Sequence, residues 1–284
     1  MTVDELECPA AVESLKSQGF LLVRISEELR NQLDRTFIAG GDFFRGTLDS
    51  KSVNRLPRDA GYRPFGVEYS SSPDRPDKME SFTVGSRSYE DVKILPAGSA
   101  RKLGEEMCWI SEALEGIAER LMTALRRWYQ QGDKTDHGKG SFHQWSILQM
   151  NYARPVEVDE QYINDLHEDG CLFTVASIPS PGLEIKTGNR SFAPLTTAHD
   201  ELLIMPGEIL WLLSGGDIAP CYHRVRSVPY LVDRMSLLMF ADIDPRLCLA
   251  WIHSEVNQQM DIGAKVLKNS ARFGLEEWPT EGPP

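Results

Sequence analysis

Apolar positions follow a helical period through most of the first half of the chain. The clearest example is the segment 99–132, in which apolar residues recur three or four positions apart and form a single stripe. The members of this stripe are Leu103, Met107, Ile110, Leu114, Ile117, Leu121, Leu125 and Trp128. The spacing predicts a long amphipathic helix that packs one face against a core.

Shorter elements precede this helix. The segment 8–19 has apolar positions at helical spacing, which predicts a helix that stops at Gly19. The β-rich run 20–25 predicts a short strand, and Ser26 is a candidate N-cap for a helix that follows it. Residues 46–98 are rich in Gly, Pro, Ser and Asp and hold only short apolar runs. We expect this segment to form loops that frame one side of a binding site.

The pattern changes at Phe142 to short segments that are either alternating or wholly apolar. Turn residues such as Pro-Gly, Gly-Asn and Gly-Gly separate these segments. The predicted strands are 142–153, 171–178, 183–187, 192–196, 201–206, 208–214, 223–228 and 234–243. Short strands at such spacing predict a β-sandwich or a barrel. A helical period returns over 244–274, which predicts a C-terminal helix that closes the fold.

Composition and charge narrow the class of protein. The chain of 284 residues is 41% hydrophobic, and its 42 acidic and 30 basic residues give a net charge of −12. This acidity argues against nucleic acid and anionic membranes as partners, because both require a basic surface. Five scattered cysteines make no disulfide framework, and neither a membrane-spanning run nor a signal peptide is recognisable. We therefore expect a cytoplasmic enzyme that acts on a small molecule.

Candidate metal ligands stand at the start of two predicted strands. His167 and Asp169 are two residues apart, and strand alternation would put both side chains on one face if the strand begins at this pair. His223 follows 54 residues after Asp169. Two imidazoles and one carboxylate on a triangular face are the ligands of mononuclear non-haem Fe(II) oxygenases. A His-x-Asp pair alone is common, so the prediction depends on the order and spacing of all three residues.

A candidate anion site follows the last of these residues. Arg234 and Ser236 lie two apart in the predicted strand 234–243, and their side chains therefore share one face. A guanidinium with a hydroxyl beside it forms a fork that binds a carboxylate. An arginine at the start of a strand can also lie at the surface, but the apolar run that follows Arg234 favours burial.

Taken in this order, the motifs resemble those of the 2-oxoglutarate and Fe(II)-dependent dioxygenases of the isopenicillin N synthase-like branch. That family shows His-x-Asp, then a distal His followed by Arg-Val, then Arg-x-Ser. The chain has His167-Glu168-Asp169, His223-Arg224-Val225 and Arg234-Met235-Ser236. Similar stretches include LKSQGFLLVRISEELRNQL, GYRPFGVEYSSSPDRPDKMESFTVG, LQMNYARP and LIMPGEILWLLSGGDIAPCYHRV. The resemblance therefore covers nearly the whole chain.

The resemblance implies a mainly β fold, namely a double-stranded β-helix (jelly roll) with an N-terminal helical cover and a C-terminal helix. It implies a single catalytic domain over residues 1–284. Within this domain we expect a helical and loop cover over 1–140, the jelly-roll core with the metal site over 141–245, and the C-terminal helix and tail over 246–284. A monomer is the default for this branch.

The resemblance also implies a role for each motif residue. His167, Asp169 and His223 would be the catalytic residues that hold Fe(II), and Arg234 and Ser236 would bind the distal carboxylate of 2-oxoglutarate. With O2, the co-substrate would be decarboxylated to succinate while an unactivated C–H bond is oxidised. Hydroxylation is the first expectation, with desaturation or ring closure as alternatives, in natural-product or amino-acid metabolism. The family's halogenases have Ala or Gly in place of Asp169, so the carboxylate argues against halogenation.

One segment departs from the family. Many relatives carry Asn-x-Tyr-Pro before the metal motif, and that Tyr reaches the co-substrate, whereas this chain has NYARP at 151–155. Alternation along a strand puts Gln149, Asn151 and Ala153 on one face. We therefore take Asn151 as a candidate for binding the co-substrate and leave Tyr152 out.

Four residues of the irregular segment are candidates to contact substrate, namely Tyr62, Tyr69, Glu80 and Arg87. Each can equally be a structural loop residue.

Two other functions are compatible with these motifs. Some relatives use the same triad as oxidases without 2-oxoglutarate, and in at least one of them the Arg-x-Ser pair holds the carboxylate of the substrate. A cupin-like isomerase or binding protein would share the jelly roll, but cupins carry several His and a Glu in a different order and have no Arg-x-Ser pair. A requirement for 2-oxoglutarate separates the first alternative, and the metal content separates the second.

Overall fold

The computed structural model of the chain describes residues 1–56, 60–85, 89–129, 142, 145–154, 161–187, 191–228 and 233–272. Its strands are β1 (Leu21–Arg24), β2 (Gly61–Arg63), β3 (Glu80–Gly85), β4 (Ile147–Ala153), β5 (Tyr162–His167), β6 (Phe173–Ser177), β7 (Leu183–Lys186), β8 (Phe192–Pro194), β9 (Glu201–Pro206), β10 (His223–Arg226) and β11 (Arg234–Ala241). Its helices are α1 (Pro9–Gln18), α2 (Glu27–Phe44), α3 (Leu48–Ser52), α4 (Tyr89–Lys93), α5 (Ser99–Trp128), α6 (Glu208–Leu213) and α7 (Ile262–Arg272). None of these helices has the length and apolar character needed to span a bilayer.

The strands form two antiparallel sheets. The large sheet has the order β1-β9-β6-β11-β4-β3-β2, and the small sheet has the order β5-β10-β7-β8. Ala176 and Met205 of the large sheet and Ile163 and Val225 of the small sheet belong to one buried apolar cluster. The sheets therefore pack against each other, and the predicted mainly β jelly roll is confirmed.

The outer face of the large sheet is covered by helices. The apolar stripe of α5 is buried in a second cluster with residues such as Phe82, Met150 and Met239 from the sheet. Trp128, at the end of the stripe, is half-buried. The predicted long helix and its packing face are thus confirmed. The N-terminal segment also adds strands, because β1, β2 and β3 extend the large sheet at its two edges.

The predicted ends of the first helices are confirmed as well. Helix α1 stops at Gly19, whose φ of 78° is the left-handed conformation that glycine adopts without strain. Helix α2 begins after Ser26, whose hydroxyl accepts a hydrogen bond of 3.2 Å from the Leu29 amide. Both signals are local, which is why the sequence alone reveals them.

The strand predicted over 208–214 is wrong, because Glu208–Leu213 forms helix α6. Four of its six residues are fully buried, so the helix is apolar on nearly every side and shows no amphipathic period. Its first amides donate to carbonyl groups elsewhere in the fold, with Glu208 N on Asp169 O at 2.8 Å and Ile209 N on Cys171 O at 3.1 Å. These long-range hydrogen bonds satisfy the first amides of the helix and stabilise it at this position.

Two other predicted boundaries are also wrong. Strand β4 begins at Ile147 rather than Phe142, and both Phe142 and Trp145 adopt helical conformation. The C-terminal helix begins at Ile262, and before it the chain forms turns and one 3-10 segment, Pro245–Leu247. In both places apolar side chains are buried by tertiary contacts without the regular element that their spacing indicated.

Candidate active site

Three side chains from two separate parts of the sequence meet at one end of the strands of the small sheet. His167 is the last residue of β5, His223 is the first residue of β10, and the two are register partners in adjacent strands. Asp169 Oδ1 lies 3.7 Å from His167 Nε2 and 3.9 Å from His223 Nε2. One potential ligand atom from each residue lies within 4.8 Å of the others, a spacing at which one metal ion can be held.

The expected position of the pair at the start of a strand is wrong. The strand next to the pair is β5, which precedes it and ends at His167, while Asp169 lies in the connection to β6. The two side chains converge because this connection turns back toward the sheet. Asp169 O accepts the amide of Glu208, and a Cβ on Gly207 would lie 2.1 Å from Cys171 O. Glycine at 207 therefore allows α6 to approach the Asp169 segment closely.

Each histidine is oriented by a backbone carbonyl. His167 Nδ1 donates to Asp165 O at 2.7 Å, and His223 Nδ1 donates to Cys221 O at 3.0 Å. Because a carbonyl only accepts, Nδ1 carries a proton in both rings, and in the neutral imidazole Nε2 then offers its lone pair to a metal. Burial, together with the adjacent His167, lowers the pKa of His223. The neutral imidazole required for metal binding is therefore favoured.

Asp169 is oriented by Thr174 of β6, whose hydroxyl donates to Asp169 Oδ2. This leaves Oδ1 directed toward the two imidazoles. Cys171 and Cys221 lie close by, and burial raises the pKa of both thiols, that of Cys221 to about 12. Both therefore remain thiols rather than thiolates.

Arg234 and Ser236 lie on the cavity face of β11, deep in the same pocket as the triad. Arg234 Nε donates to Pro181 O at 3.1 Å, and one terminal nitrogen donates to Ser236 Oγ at 3.4 Å. No carboxylate among the described residues lies within ion-pairing distance of Arg234, which is only 6% exposed. Burial lowers its pKa to about 10, so it remains a cation at neutral pH. A buried guanidinium with a hydroxyl beside it is an arrangement that can bind an anion.

The cavity side of β4 follows the predicted alternation. Gln149 and Asn151 line the cavity, and Gln149 Nε2 donates to Asn151 Oδ1 at 2.8 Å. Asn151 is the register partner of Ser236 in β11. Tyr152 points to the opposite side, where its ring stacks on Phe44 with a centroid distance of 5.0 Å. Tyr152 therefore lies outside the cavity.

The irregular segment between β2 and β3 supplies one wall of the cavity, which has a volume of about 1220 Å³ including its open mouth. Of the four substrate-contact candidates, Tyr69 lines this wall. Tyr62 of β2 and Glu80 of β3 are instead buried on the side of the large sheet that the helices cover. There the Tyr62 hydroxyl donates to Glu80 at 2.5 Å, and Lys51 pairs with the same carboxylate. Arg87 lies outside the described residues.

Glu68 and Asp77 on this wall are buried carboxyl groups that the motifs did not indicate. Glu68 lies 3.6 Å from Arg63 and accepts hydrogen bonds from Ser81 and Gln149. Asp77 accepts hydrogen bonds from the amide and hydroxyl of Ser70 and thereby ties the two ends of the wall together. Their positions depend on how a loop folds, which has no periodic signal in the sequence.

Asp77 gives this wall a pH dependence. Burial raises its pKa from 3.8 to about 6, so the native state binds the proton more tightly than the unfolded state does. The stabilisation is complete below about pH 4 and is lost as the pH rises through about 6. Relative to Asp77→Asn, we expect the wild-type free energy of unfolding to fall by roughly 2–3 kcal/mol as the pH rises from about 4 to 7.5. Urea denaturation of both proteins across this range measures the difference, and parallel curves would contradict the assignment.

Comparison with known proteins identifies similar structures. No protein-family model matches the chain, and no curated protein matches it in sequence. A full-length protein of Neurospora crassa, solved in complex with alpha-KG, has a TM-score of 0.76 at 17% identity, over 95% of this chain and 91% of that chain. The dioxygenase for auxin oxidation (DAO) in rice has a TM-score of 0.66 at 19% identity, over 84% and 78%. JOX2, in complex with 2OG, Fe and JA, has a TM-score of 0.67 at 16% identity, over 86% and 74%.

At these identities the likeness establishes the fold. The resemblance noted in the motifs thus extends to the tertiary structure over most of the chain. The protein has the jelly-roll fold of solved dioxygenases, and it combines that fold with a His-Asp-His cluster that could hold a metal ion.

Proposed function

We propose that the protein is an Fe(II)- and 2-oxoglutarate-dependent dioxygenase that oxidises a C–H bond of a small molecule. The observation that carries this proposal is the presence of two complementary sites in one cavity. One is a metal-ligand triad, and the other is a buried arginine with no counterion among the described residues. A dicarboxylate that also chelates a metal would fill both sites at once.

The residues present fit Fe(II). The triad offers two neutral imidazole nitrogens and one carboxylate oxygen, and this mixed set on one face leaves other coordination positions open. His167, Asp169 and His223 would hold the ion. Hydrogen bonds from both imidazoles to backbone carbonyls and from Thr174 to Asp169 orient all three ligands before the metal arrives.

The residues present also fit 2-oxoglutarate. Arg234 and Ser236 would bind its distal carboxylate, since the guanidinium and the hydroxyl lie side by side and face the cavity. Asn151, opposite Ser236, would add a polar contact. Apolar side chains around this end of the cavity, such as Ile178, Leu183 and Leu238, exclude water and strengthen the ion pair. That the Neurospora crassa protein was solved with alpha-KG and JOX2 with 2OG and Fe supports the assignment.

Different residues of the chain would bind the metal and orient the co-substrate. The triad would hold the metal, and Arg234 would hold the distal carboxylate of the co-substrate. Bound Fe(II), with 2-oxoglutarate and O2, would supply the oxidising chemistry, in which the co-substrate becomes succinate and CO2 and a C–H bond of the substrate is oxidised. The remaining walls would hold the substrate over the metal, with hydroxylation as the first expected outcome. The Neurospora crassa protein was also solved with thymine, which is in keeping with a small-molecule substrate.

The test is an anaerobic titration. Metal-free protein receives Fe(II) and then 2-oxoglutarate, and a weak visible charge-transfer band is expected when the 2-oxo acid chelates the metal. The band should be lost in Arg234→Ala at moderate co-substrate concentration. If iron binds without a band, the protein is instead an oxidase that does not use 2-oxoglutarate. If iron does not bind, the triad assignment is wrong.

A further inference from the structure

One strand face runs the length of the cavity. Alternate residues of β11 and the residue that follows it line the cavity, in the order Arg234, Ser236, Leu238, Phe240 and Asp242. Arg234 and Asp242 are eight residues apart, which is about 26 Å along an extended strand. The face therefore carries a cation at one end and a carboxyl group at the other.

Asp242 has few partners. Its Oδ1 accepts the Leu172 amide at 3.0 Å, and its own amide donates to Ser146 Oγ at 3.3 Å. Among the described residues no Lys, Arg or His lies within ion-pairing distance of the carboxyl group, and no other donor hydrogen-bonds to Oδ2. Burial raises its pKa well above the ordinary range. The ionised form thus lacks a counterion in the protein itself.

The surroundings of Asp242 are mainly apolar. This end of the cavity is lined by Trp145, Ile147, Phe240, Val266 and Leu267, of which the last two belong to α7. Asn269, also on α7 and only 8% exposed, donates through Nδ2 to Gly170 O. Its amide oxygen accepts no hydrogen bond from any described residue, so a second acceptor lies in the same region. An aromatic and aliphatic chamber with these acceptors suits an apolar body that carries hydrogen-bond donors.

The other carboxylates of the cavity are already engaged. Asp169 belongs to the metal triad, Glu68 lies beside Arg63, and Asp77 accepts hydrogen bonds from Ser70. Arg234 is the single Lys or Arg among the described residues that line the cavity, and it lies at the opposite end. Asp242 is therefore the carboxyl group of the cavity that can still accept a hydrogen bond and an ion pair from a ligand.

We propose that Asp242 is a specificity-determining residue that binds a protonated amine on the substrate, whose apolar body packs against Trp145 and Phe240. The ammonium group would neutralise the half-buried carboxylate and donate to it, which no described side chain does. Aromatic rings beside the site would further favour a cation. That this amine belongs to the substrate of an oxidation rests on the proposed function, whereas the binding itself does not.

The test compares matched probes on one protein. The protein, loaded anaerobically with Fe(II) and 2-oxoglutarate, is titrated with 2-phenylethylamine, 2-phenylethanol and thymine by ligand-observed NMR. We expect the amine to bind at least about tenfold more tightly than the alcohol, since the two share a ring and differ in charge. In Asp242→Asn, which keeps an acceptor for the Leu172 amide, the two affinities should become similar.

Asp77→Asn is the control, because it removes a carboxyl group from another wall of the same cavity. The preference for the amine should survive in this variant. Equal affinity of amine and alcohol for the wild type would overturn the proposal, and so would a preference retained in Asp242→Asn or lost equally in Asp77→Asn. Binding of thymine alone, with dependence on Asp242, would instead assign the residue to a neutral N–H group and also overturn it.

Two further measurements keep the outcome unambiguous. Circular dichroism shows whether Asp242→Asn is folded, and if it is not, the comparison of amine with alcohol on the wild type still decides the proposal. Repeating the titration without Fe(II) and 2-oxoglutarate separates the two hypotheses. A preference for the amine in a protein that forms no charge-transfer band would leave Asp242 assigned while the proposed dioxygenase activity fails.

Discussion

Replacing Asp169 with alanine is expected to lower iron affinity and 2-oxoglutarate turnover by more than about 100-fold. Loss of a second-sphere partner already lowers metal affinity about 10–100-fold, and Asp169 is a candidate ligand itself. The variant would leave two neutral imidazoles, which hold Fe(II) weakly and bring no negative charge. Metal content after anaerobic loading and succinate formation on addition of 2-oxoglutarate measure the two effects separately.

Asp165→Ala is the matched control for this substitution. Asp165 lies two residues before His167, but its carboxylate lies at the protein surface. There it pairs with Arg75 at 3.1 Å and accepts a hydrogen bond from the Ser71 hydroxyl. Its backbone carbonyl, which orients His167, is unaffected by the change. Iron binding should therefore survive in Asp165→Ala. A folded Asp169→Ala protein that still forms succinate at the wild-type rate would show that the triad is misassigned.

Replacing Arg234 with alanine is expected to raise the 2-oxoglutarate concentration needed for half-maximal activity by about 100-fold, with a smaller effect on iron binding. Removing one partner of a buried, hydrogen-bonded charge pair costs about 2–5 kcal/mol, and each 1.4 kcal/mol is a factor of ten in affinity. The co-substrate dependence of succinate formation measures this change. Arg226→Ala serves as the control, because Arg226 is exposed on β10 and pairs with Glu184.

The same substitution has a second expected consequence, for stability. Arg234 is buried without a carboxylate partner among the described residues, so a bound anion would offset part of the cost of its desolvation. Adding 2-oxoglutarate with Fe(II) should therefore raise the Tm of the wild type and of Arg226→Ala, but hardly that of Arg234→Ala. An equal rise in all three proteins would place the co-substrate elsewhere.

Local signals in the sequence identified much of the fold and most of the candidate site. The stripe of α5, the glycine after α1 and the cap at Ser26 are properties of neighbouring residues, and they correctly predict those elements. The five candidate site residues of the motifs line one cavity, namely His167, Asp169, His223, Arg234 and Ser236. Alternation along β4 also separated Asn151, which faces the cavity, from Tyr152, which does not.

The errors share one physical cause. Four of the six residues 208–213 are fully buried because the fold surrounds them, so no period distinguishes a helix from a strand there. The position of Asp169 was expected from strand alternation, yet it depends on a connection shaped by Gly207, Glu208 and Thr174. In each case the deciding contacts join segments that are far apart in the chain.

The sequence by itself therefore determined the class of fold and the identity of the chemical groups, because periodicity and motif order are written into neighbouring positions. Only the tertiary structure decided which groups share a space. It brought His223 within 3.9 Å of Asp169. It buried Arg234 with no carboxylate of the described residues within ion-pairing distance, and it placed Asp242 at the opposite end of the same strand face. Charge and burial become informative about ligands only when the partners of each group are known, and those partners come from distant parts of the chain.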